Sequence, residues 1–248
     1  MRYLKIITLS AFALFLSGCD NEGEFNLASA IASGVTVYQA ATLEEQDVIQ
    51  AAQLSAAELD RKNQLAPTNS AYSQRLSRIV KGLEVVNGQR MNYKVYLSPA
   101  VNAFAMADGT IRVHSGLLDA MPDDQVLAVI GHEIGHVQLQ HSYQRMRKQL
   151  LTNAVFQAAN SAGGDIASLS RSQLGDLAYQ AISAQFSQAD ELAADSYAQQ
   201  ILQQLNQDPQ AMARSIATLQ TKYGRGGGFL NSHPSNPKRL ENLQKTIN

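Results

Sequence analysis

The stretch His132-Glu133-Ile134-Gly135-His136 decides how the rest of the chain is interpreted. Residues four positions apart on an α-helix differ by about 40° around the axis, so both histidines lie on one face and can bind one ion. Glu133 projects beside them, where its carboxylate would contact water at the metal and act as a general base. The hydrophobic residues around the motif have the spacing of a buried helix: they are Val126, Val129, Ile130 and Val137.

The two histidines of this motif, completed by a carboxylate from elsewhere in the chain, indicate zinc chemistry. Two imidazoles and a carboxylate suit zinc, and a fourth position left open to water distinguishes a catalytic site from a structural one. A zinc ion held in this way polarises a carbonyl group and lowers the pKa of water towards about 7, which predicts hydrolysis of amide bonds. The alternative is a chance match on an amphipathic helix, which the helical context of the motif disfavours.

The motif supplies two histidine ligands, so a third protein ligand is needed. A metzincin would place a histidine six residues after His136, but that position holds Ser142. His141 falls one residue short and lies about 140° around a continuous helix from His136. We therefore expect His141 to be a solvent-exposed helix residue.

Glu191 is the first glutamate after the motif, within the strongly helical segment Glu191-Leu192-Ala193-Ala194-Asp195. Glu191 and Asp195 share one helix face because they are four residues apart. Glu191 could then bind the metal, while Asp195 accepts a hydrogen bond from a ligand histidine and fixes its tautomer. A solvated acidic helix face is the alternative interpretation.

The remaining patterns predict an α+β fold that is mainly helical, with a small antiparallel sheet or hairpin beside the helix of the motif. Alternation of Tyr93, Val95 and Leu97 with other residues predicts a strand, and Asp108-Gly109 is typical of a hairpin turn within residues 102–113. A capping box at Thr42 and Glu45 predicts the start of the first helix. The predicted helices span residues 42–65, 70–81, 123–160 with a break, 172–184, 188–205, 209–223 and 237–247.

The composition limits the classes of protein to which the chain can belong. Its 248 residues include 20 Lys+Arg and 21 Asp+Glu, so it lacks the excess positive charge expected of a nucleic-acid-binding protein. With 45% hydrophobic and 17% charged residues, it has the composition of a soluble globular protein and not of one with several membrane-spanning helices. The length suits one well-buried domain.

The first residues have the pattern of an export signal. Arg2 and Lys5 precede an almost wholly apolar segment, residues 6–16, that is too short to span a hydrocarbon core of about 30 Å. Leu16-Ser17-Gly18-Cys19 then resembles a bacterial lipoprotein signal, in which the cysteine carries the lipid; an ordinary secretory signal is the alternative. We expect a signal peptide over 1–18, a flexible tether over 19–40 and a zinc metallopeptidase domain over 41–248.

Several segments carry a resemblance to a known family: Asn102-Ala103-Phe104-Ala105, Val129-Ile130-Gly131-His132-Glu133-Ile134-Gly135-His136, Glu191 with Asp195, and His233-Pro234 with Arg239. They resemble the CAAX-prenyl-protease and HtpX-type gluzincin peptidases, and in particular their bacterial lipoprotein branch. The resemblance covers essentially the whole chain after the signal peptide. It implies one zinc ion bound by His132, His136 and Glu191, with Glu133 catalytic and Asp195 hydrogen-bonded to a ligand.

The same resemblance gives roles to residues that the patterns alone leave open. It implies that His233 lies near the metal, where it either stabilises the oxyanion or binds zinc in a resting state. It also implies that Arg239 is buried and bonded to residues of the site. The alternative for Arg239 is an exposed cation on a helix. An extended substrate could add to the strand that contains Asn102 and Ala103. Phe104 is either part of a specificity pocket or a core aromatic residue.

These observations together predict a zinc endopeptidase that is lipid-anchored at Cys19, faces the periplasm and cleaves misfolded or unassembled envelope proteins. Its expected partners are these substrates, the membrane, and envelope proteases or assembly machinery, but not nucleic acid. The resemblance favours the outer membrane, whereas Asp20 favours the inner membrane. The rival interpretations are a chaperone-like zinc-binding factor for outer-membrane protein assembly and a structural zinc module with His233 as fourth ligand.

Overall fold

The computed structural model describes residues 43–152, 169–224, 228–234 and 237–245, all of which fall in one unit, Gln39–Asn248. The predicted signal peptide, the tether, Cys19 and Thr42 lie outside the described residues. Helices account for most of the described chain, and strands form a small part of it, so the predicted α+β class is confirmed. The helices are α1 (Glu45–Lys62), α2 (Ala71–Ile79), α3 (Ser115–Ala120), α4 (Asp123–Gln138), α5 (His141–Thr152), α6 (Arg171–Ser183), α7 (Gln188–Gln204), α8 (Ala211–Tyr223) and α9 (Pro237–Lys245).

The helix boundaries follow the caps that the local sequence provides. Helix α1 starts later than predicted, at Glu45, because the Glu44 backbone N–H donates to Asp47 Oδ2 over 2.9 Å and closes the first turn there. Ser187 caps α7 by accepting a hydrogen bond from the Asp190 backbone N–H over 3.1 Å. Among the described helices, none is both long and apolar enough to cross a membrane.

The long helical segment predicted after Asp123 is broken at one residue. Helix α4 ends at Gln138 and α5 begins at His141, and between them Gln140 has a φ of 63°. A left-handed backbone conformation at one residue ends a helix and redirects the chain. The α5 side chains therefore do not continue the rotation of the α4 side chains.

The strands are β1 (Val85–Val86), β2 (Gln89–Arg90), β3 (Asn92–Tyr96), β4 (Ala103–Ala105) and β5 (Thr110–His114). Strands β4 and β5 form the predicted antiparallel hairpin, and the turn places Gly109 at a φ of 86°. Strand β3 pairs with β5 in parallel, so the three-stranded sheet has the order β3-β5-β4. The parallel pairing is possible because residues 97–109, which include β4, form the crossover between the two strands.

Helix α4 lies at the centre of the fold, and every residue from Val126 to Val137 is buried. Its closest helical neighbour is α7, and two glycines allow the approach. A Cβ atom added to Gly135 would lie 3.0 Å from Tyr197 Cβ and 3.1 Å from Ala194 Cα, and one added to Gly131 would lie 3.3 Å from Ala198 Cα. This close packing brings the acidic residues of α7 against the histidines of α4.

Candidate metal centre

Two histidines of α4 and one glutamate of α7 converge on a single point. His132 Nε2 and His136 Nε2 are 3.0 Å apart. Glu191 Oε1 is 3.3 Å from His136 Nε2, and Glu191 Oε2 is 3.5 Å from His132 Nε2. All three side chains are at most 1% exposed. The i, i+4 spacing on each helix, together with the glycine contacts between the helices, produces this arrangement.

His233 follows a short 3₁₀ turn, Gly228–Asn231, and its imidazole lies in the same cluster. Its Nδ1 lies 3.2 Å from His132 Nε2 and 3.1 Å from Glu191 Oε1. The Phe229 ring stacks on the His233 ring with centroids 4.2 Å apart, and the Phe229 backbone N–H donates to Val101 O over 2.8 Å. The turn and the aromatic stack thus fix the His233 imidazole, the fourth potential donor, beside the other three groups.

The chemistry of this donor set fits zinc. One ligand atom from each of His132, His136, Glu191 and His233 lies within 4.8 Å of the others. Zinc bonds of about 2.0–2.2 Å in tetrahedral geometry separate neighbouring donors by about 3.3–3.6 Å. The distances of 3.0 to 3.5 Å are close to that spacing. Burial also lowers the pKa of His136 and His233, which favours the neutral imidazoles that bind metal.

Asp195 and Arg239 form a buried pair behind the donor set. His132 Nδ1 lies 2.9 Å from Asp195 Oδ1, while Arg239 Nε and Nη2 donate to the same carboxylate over 2.7 Å. Burial alone would raise the pKa of Asp195, but the charge of Arg239 and the hydrogen bonds from His132 and Arg239 together outweigh burial and lower it. Arg239 also lies 2.5 Å from Glu191 Oε2 and is 0% exposed, so it is not an exposed helix cation.

Glu133 lies next to the donors without joining them. Its carboxylate is 1% exposed, and Oε1 accepts no hydrogen bond within the described chain, although His233 Nε2 is 3.3 Å away. Burial raises the pKa of Glu133 well above its ordinary value, an effect that the charge of Arg145 opposes. The Ala105 backbone N–H contacts the carboxylate as a hydrogen-bond donor. A buried carboxylate with a raised pKa is suited to accept and release a proton.

The expectation that His141 is solvent-exposed is wrong. Its side chain is 14% exposed, and its Nδ1 lies 3.1 Å from His136 Nδ1. The expected rotation of about 140° assumed a continuous helix, whereas the helix is broken at Gln140. His141 therefore begins a new helix and is directed back towards the ligand His136.

Two phenylalanines beside the ligands have no recognisable sequence signal. Phe186 precedes α7 and stacks on His136 with ring centroids 3.6 Å apart and an interplanar angle of 16°. The Arg145 guanidinium lies 3.7 Å from the Phe186 ring centroid. The Phe229 ring stacks on the His233 ring in the same way, with centroids 4.2 Å apart. Neither residue belongs to a periodic pattern, so only the packing reveals their contact with the ligands.

The residues expected to bind substrate lie at the edge strand β4. The Asn102 backbone carbonyl accepts a hydrogen bond from the His114 backbone N–H over 3.0 Å, and Ala103 is buried in the core around α4. Phe104 is 4% exposed and packs in a second hydrophobic cluster that includes Tyr96. The structure thus brings the backbone of β4 close to Glu133 and places the Phe104 side chain in a core. His114 lies against Tyr96 and Phe104, as a structural residue would.

Comparison with known proteins agrees with this geometry. Residues 68–247 match the model of peptidase family M48. The chain is 42% identical to metalloprotease LoiP and 38% identical to metalloprotease YcaL, both of Escherichia coli K12, and each alignment covers 98% of this chain and 96% of the relative. It is also 31% identical to the beta-barrel assembly-enhancing protease of Yersinia pestis, over 65% of this chain and 36% of that protein.

The similarities to the two Escherichia coli metalloproteases extend over nearly the full chain and include the segments that form the metal centre. A family match over residues 68–247 contains all four potential donors and Glu133. The predicted zinc cofactor and the predicted class of enzyme are therefore confirmed. The chain belongs to peptidase family M48, and it is a zinc-dependent metalloprotease.

Proposed function

We propose that the protein is an endopeptidase of the cell envelope that cleaves exposed segments of misfolded or unassembled envelope proteins. The observation that carries the proposal is the position of Glu133 beside the donor set, where its buried carboxylate has a raised pKa. A carboxylate in this position takes a proton from water and delivers it to the leaving amine. His132, His136 and Glu191 are the proposed zinc ligands.

The residues behind the ligands have a separate task in this proposal. Asp195 accepts a hydrogen bond from the Nδ1–H of His132, which leaves Nε2 free to bind the metal, and Arg239 holds the Asp195 carboxylate in place. Zinc supplies Lewis acidity that polarises the scissile carbonyl and lowers the pKa of water. The protein then contributes orientation, exclusion of bulk water and transfer of one proton at the Glu133 carboxylate.

The edge of strand β4 is the proposed binding surface for the substrate backbone. Asn102 and Met106 are hydrogen-bonded to β5, while Ala103 and Ala105 lie between these bonds and direct their backbone groups away from β5. The Ala105 carbonyl already accepts a hydrogen bond from Ser142 Oγ over 3.1 Å, so the substrate backbone would pair with Ala103. Ala105 N–H reaches Glu133, so this side of β4 lies alongside the metal centre. A segment that pairs with a strand edge must be extended and accessible. Unfolded chains satisfy both conditions, and folded proteins expose few such segments.

The envelope location rests on the N-terminal sequence and on one relative. The Leu16-Ser17-Gly18-Cys19 pattern supports export and lipid attachment at Cys19. The relative from Yersinia pestis is named a beta-barrel assembly-enhancing protease, which supports unassembled outer-membrane proteins as a substrate class. We propose attachment to the outer membrane, with the inner membrane as the alternative that Asp20 favours. Fractionation of cells that express the full chain distinguishes the two membranes.

One observation favours a second candidate, a zinc-binding assembly factor with little proteolysis. His233 Nδ1 lies 3.1 Å from Glu191 Oε1 and can complete a set of four protein donors. A set of four protein ligands is typical of structural zinc sites, which leave no position for water. The role of Glu133 separates this candidate from the peptidase, because a structural site does not need a buried base.

The Glu133→Gln variant tests the proposal. Purified, zinc-loaded wild type and variant are incubated with casein and with an unfolded outer-membrane β-barrel, and bound zinc is measured in parallel. We expect cleavage to fall by about 10²–10⁴-fold in the variant, because the general base is lost. Zinc content should remain at one ion per chain because Glu133 is not a ligand. The matched control is Glu241→Gln, which changes an exposed glutamate of α9 and should leave both readings unchanged.

Three outcomes would contradict the proposal or its substrate class. Cleavage by Glu133→Gln at the wild-type rate would exclude Glu133 as the base. Full function of the same variant in cells that lack the wild-type protein, measured as the level of misassembled outer-membrane proteins, would favour the assembly factor. If wild type cleaves casein but leaves the unfolded barrel intact, the peptidase stands and the proposed substrate class fails.

A further inference from the structure

We propose that His141 is a positioning residue that holds the zinc ligand His136 in the orientation and tautomer that direct its Nε2 at the metal. The inference rests on the proposed role of His136 as a ligand. It concerns a histidine outside the HExxH motif that the sequence pattern placed in solvent. The contacts of the two imidazole nitrogens of His136 carry the argument.

The two nitrogens of His136 face different groups. Nε2 points into the donor set, 3.0 Å from His132 Nε2 and 3.3 Å from Glu191 Oε1. Nδ1 points away from the donor set and lies 3.1 Å from His141 Nδ1. Metal binding through Nε2 requires the proton to be on Nδ1, where it needs a hydrogen-bond acceptor. His141 Nδ1 is in position to be that acceptor.

A carboxylate next to His141 favours the tautomer that this role requires. His141 Nδ1 can accept only if the His141 proton is on Nε2, and that nitrogen lies 3.5 Å from Asp190 Oδ1. The other oxygen of Asp190 accepts from the Ser187 hydroxyl over 2.7 Å and from the Ser187 backbone N–H over 3.1 Å. The cap of α7 thus fixes Asp190 with one oxygen directed at His141.

The same arrangement occurs on the other ligand histidine with different groups. His132 also presents Nε2 to the donor set, and its Nδ1 is 2.9 Å from Asp195 Oδ1. A carboxylate is the direct acceptor for His132, whereas for His136 an imidazole stands between the ligand and Asp190. Phe186 covers one face of the His136 ring, but a stacked ring does not determine which nitrogen carries the proton. The contact with His141 therefore selects the tautomer of His136 that carries its proton on Nδ1.

The break between α4 and α5 makes the contact possible. Gln140 has a φ of 63°, which ends α4 and lets the first residue of α5 turn towards the ligand. The side chain of His141 is 14% exposed, so the imidazole pair is shielded from most of the solvent. Hydrogen bonds to ligand histidines of this kind are worth about 10–100-fold in metal affinity.

The test compares variants of His141 that differ in their hydrogen-bonding ability. His141→Phe keeps a planar ring without an acceptor, and His141→Ala removes the side chain. His141→Asn restores an acceptor close to the position of Nδ1. Zinc affinity is measured by competition with a chromophoric chelator, the electronic absorption of the cobalt-substituted protein reports the ligand geometry, and the thermal midpoint of the metal-free protein reports folding.

We expect His141→Phe and His141→Ala to bind zinc about 10–100-fold more weakly than wild type and to shift the cobalt spectrum. His141→Asn should recover most of the affinity, while the thermal midpoint of the metal-free protein stays similar in the Phe and Asn variants. His114→Phe is the matched control, since it removes a histidine that contacts Tyr96 and Phe104 instead of the metal centre, and its zinc affinity should be unchanged.

Three results would overturn the inference. Wild-type zinc affinity in both acceptor-free variants would show that His136 needs no acceptor. Equal weakening in His141→Asn and His141→Phe would show that size or packing matters and the hydrogen bond does not. A loss of thermal stability without a change in zinc affinity would assign His141 a purely structural role. Failure of wild type itself to bind zinc would instead contradict the ligand assignment on which the inference rests.

Discussion

Asp195 Oδ1 lies 2.9 Å from His132 Nδ1 and 2.7 Å from Arg239 Nη2, so one carboxylate joins a metal ligand to the C-terminal helix α9. Replacement of Asp195 by Ala removes the acceptor from His132 and leaves the Arg239 guanidinium buried without this partner. We expect zinc affinity to fall by about 10–100-fold. The free energy of unfolding of the metal-free protein should also fall, by roughly 1–3 kcal/mol, because Arg239 loses two buried hydrogen bonds but keeps its ion pair with Glu191.

Chelator competition and urea denaturation measure the two effects of Asp195→Ala. Asp176→Ala is the control, because Asp176 is an exposed acidic residue of α6. If Asp195→Ala matched this control in both measurements, the buried pair would have no influence on the metal centre. Loss of stability without loss of zinc affinity would restrict Asp195 to a role in folding.

The glycines between α4 and α7 lead to a second prediction. A methyl group at Gly135 would lie 3.0 Å from Tyr197 Cβ and 3.1 Å from Ala194 Cα, so α7 must move, and with it Glu191. We expect Gly135→Ala to lower the free energy of unfolding by up to about 2 kcal/mol, because a crowding cost of about 1–3 kcal/mol is offset by a gain in helix propensity of only about 1 kcal/mol. Zinc affinity should fall as well.

Gly175→Ala in α6 is the matched control for this substitution. The nearest atoms to its new methyl group belong to the end of the Lys62 side chain, which is 45% exposed and free to move away. We expect this variant to gain about 0.5–1 kcal/mol in urea denaturation, with unchanged zinc affinity. Equal gains in the free energy of unfolding from Gly135→Ala and Gly175→Ala would show that α4 and α7 tolerate a wider separation.

Asp60 leads to a prediction about acid stability. Burial would raise its pKa, but hydrogen bonds from Arg112 and Lys94 outweigh burial and lower the pKa to about 2. A lowered pKa means that the folded state gains stability from ionised Asp60 above its unfolded pKa of about 4, and loses it as the pH falls towards 2. Asp60→Asn should reduce the free energy of unfolding by roughly 1–3 kcal/mol near neutral pH, since Arg112 is 3% exposed.

Urea denaturation of the metal-free protein between about pH 7 and pH 2 measures this dependence. The difference between wild type and Asp60→Asn should shrink between about pH 4, where Asp60 of the unfolded chain becomes protonated, and about pH 2, where Asp60 of the folded protein does. Glu241→Gln, in an exposed pair with Lys245, should show no comparable difference at any pH. A difference that stays constant down to pH 2 would exclude the ionised carboxylate as its source.

The sequence predicted the parts of the metal centre that depend on helical spacing. His132 and His136 are one turn apart, and Glu191 is the first glutamate that follows them, so the periodicity of a helix and a short list of candidates were sufficient. The structure places these three residues together. Local periodicity holds within one helix and fails where a helix ends.

His141 and Phe186 show where sequence reasoning stops. The contact of His141 with His136 depends on one positive φ at Gln140, a residue type that rarely adopts it, so the continuous-helix assumption misplaced the side chain. Phe186 stacks on His136 from a loop, where no period constrains its direction. The parallel pairing of β3 with β5 was missed for a similar reason, since strand order depends on contacts distant in sequence.

His233→Ala tests the two roles that the sequence left open for this residue. His132, His136 and Glu191 remain in the variant, so we expect it to bind one zinc ion per chain, with weaker affinity than wild type because one of four potential donors is lost. Metal analysis after dialysis measures the stoichiometry, and loss of the ion would show that the site needs four protein ligands. Cleavage of casein is measured on the same zinc-loaded samples. A fall of about 10²–10³-fold with zinc retained would assign His233 to the oxyanion, and unchanged or faster cleavage would assign it to a resting state that substrate must displace.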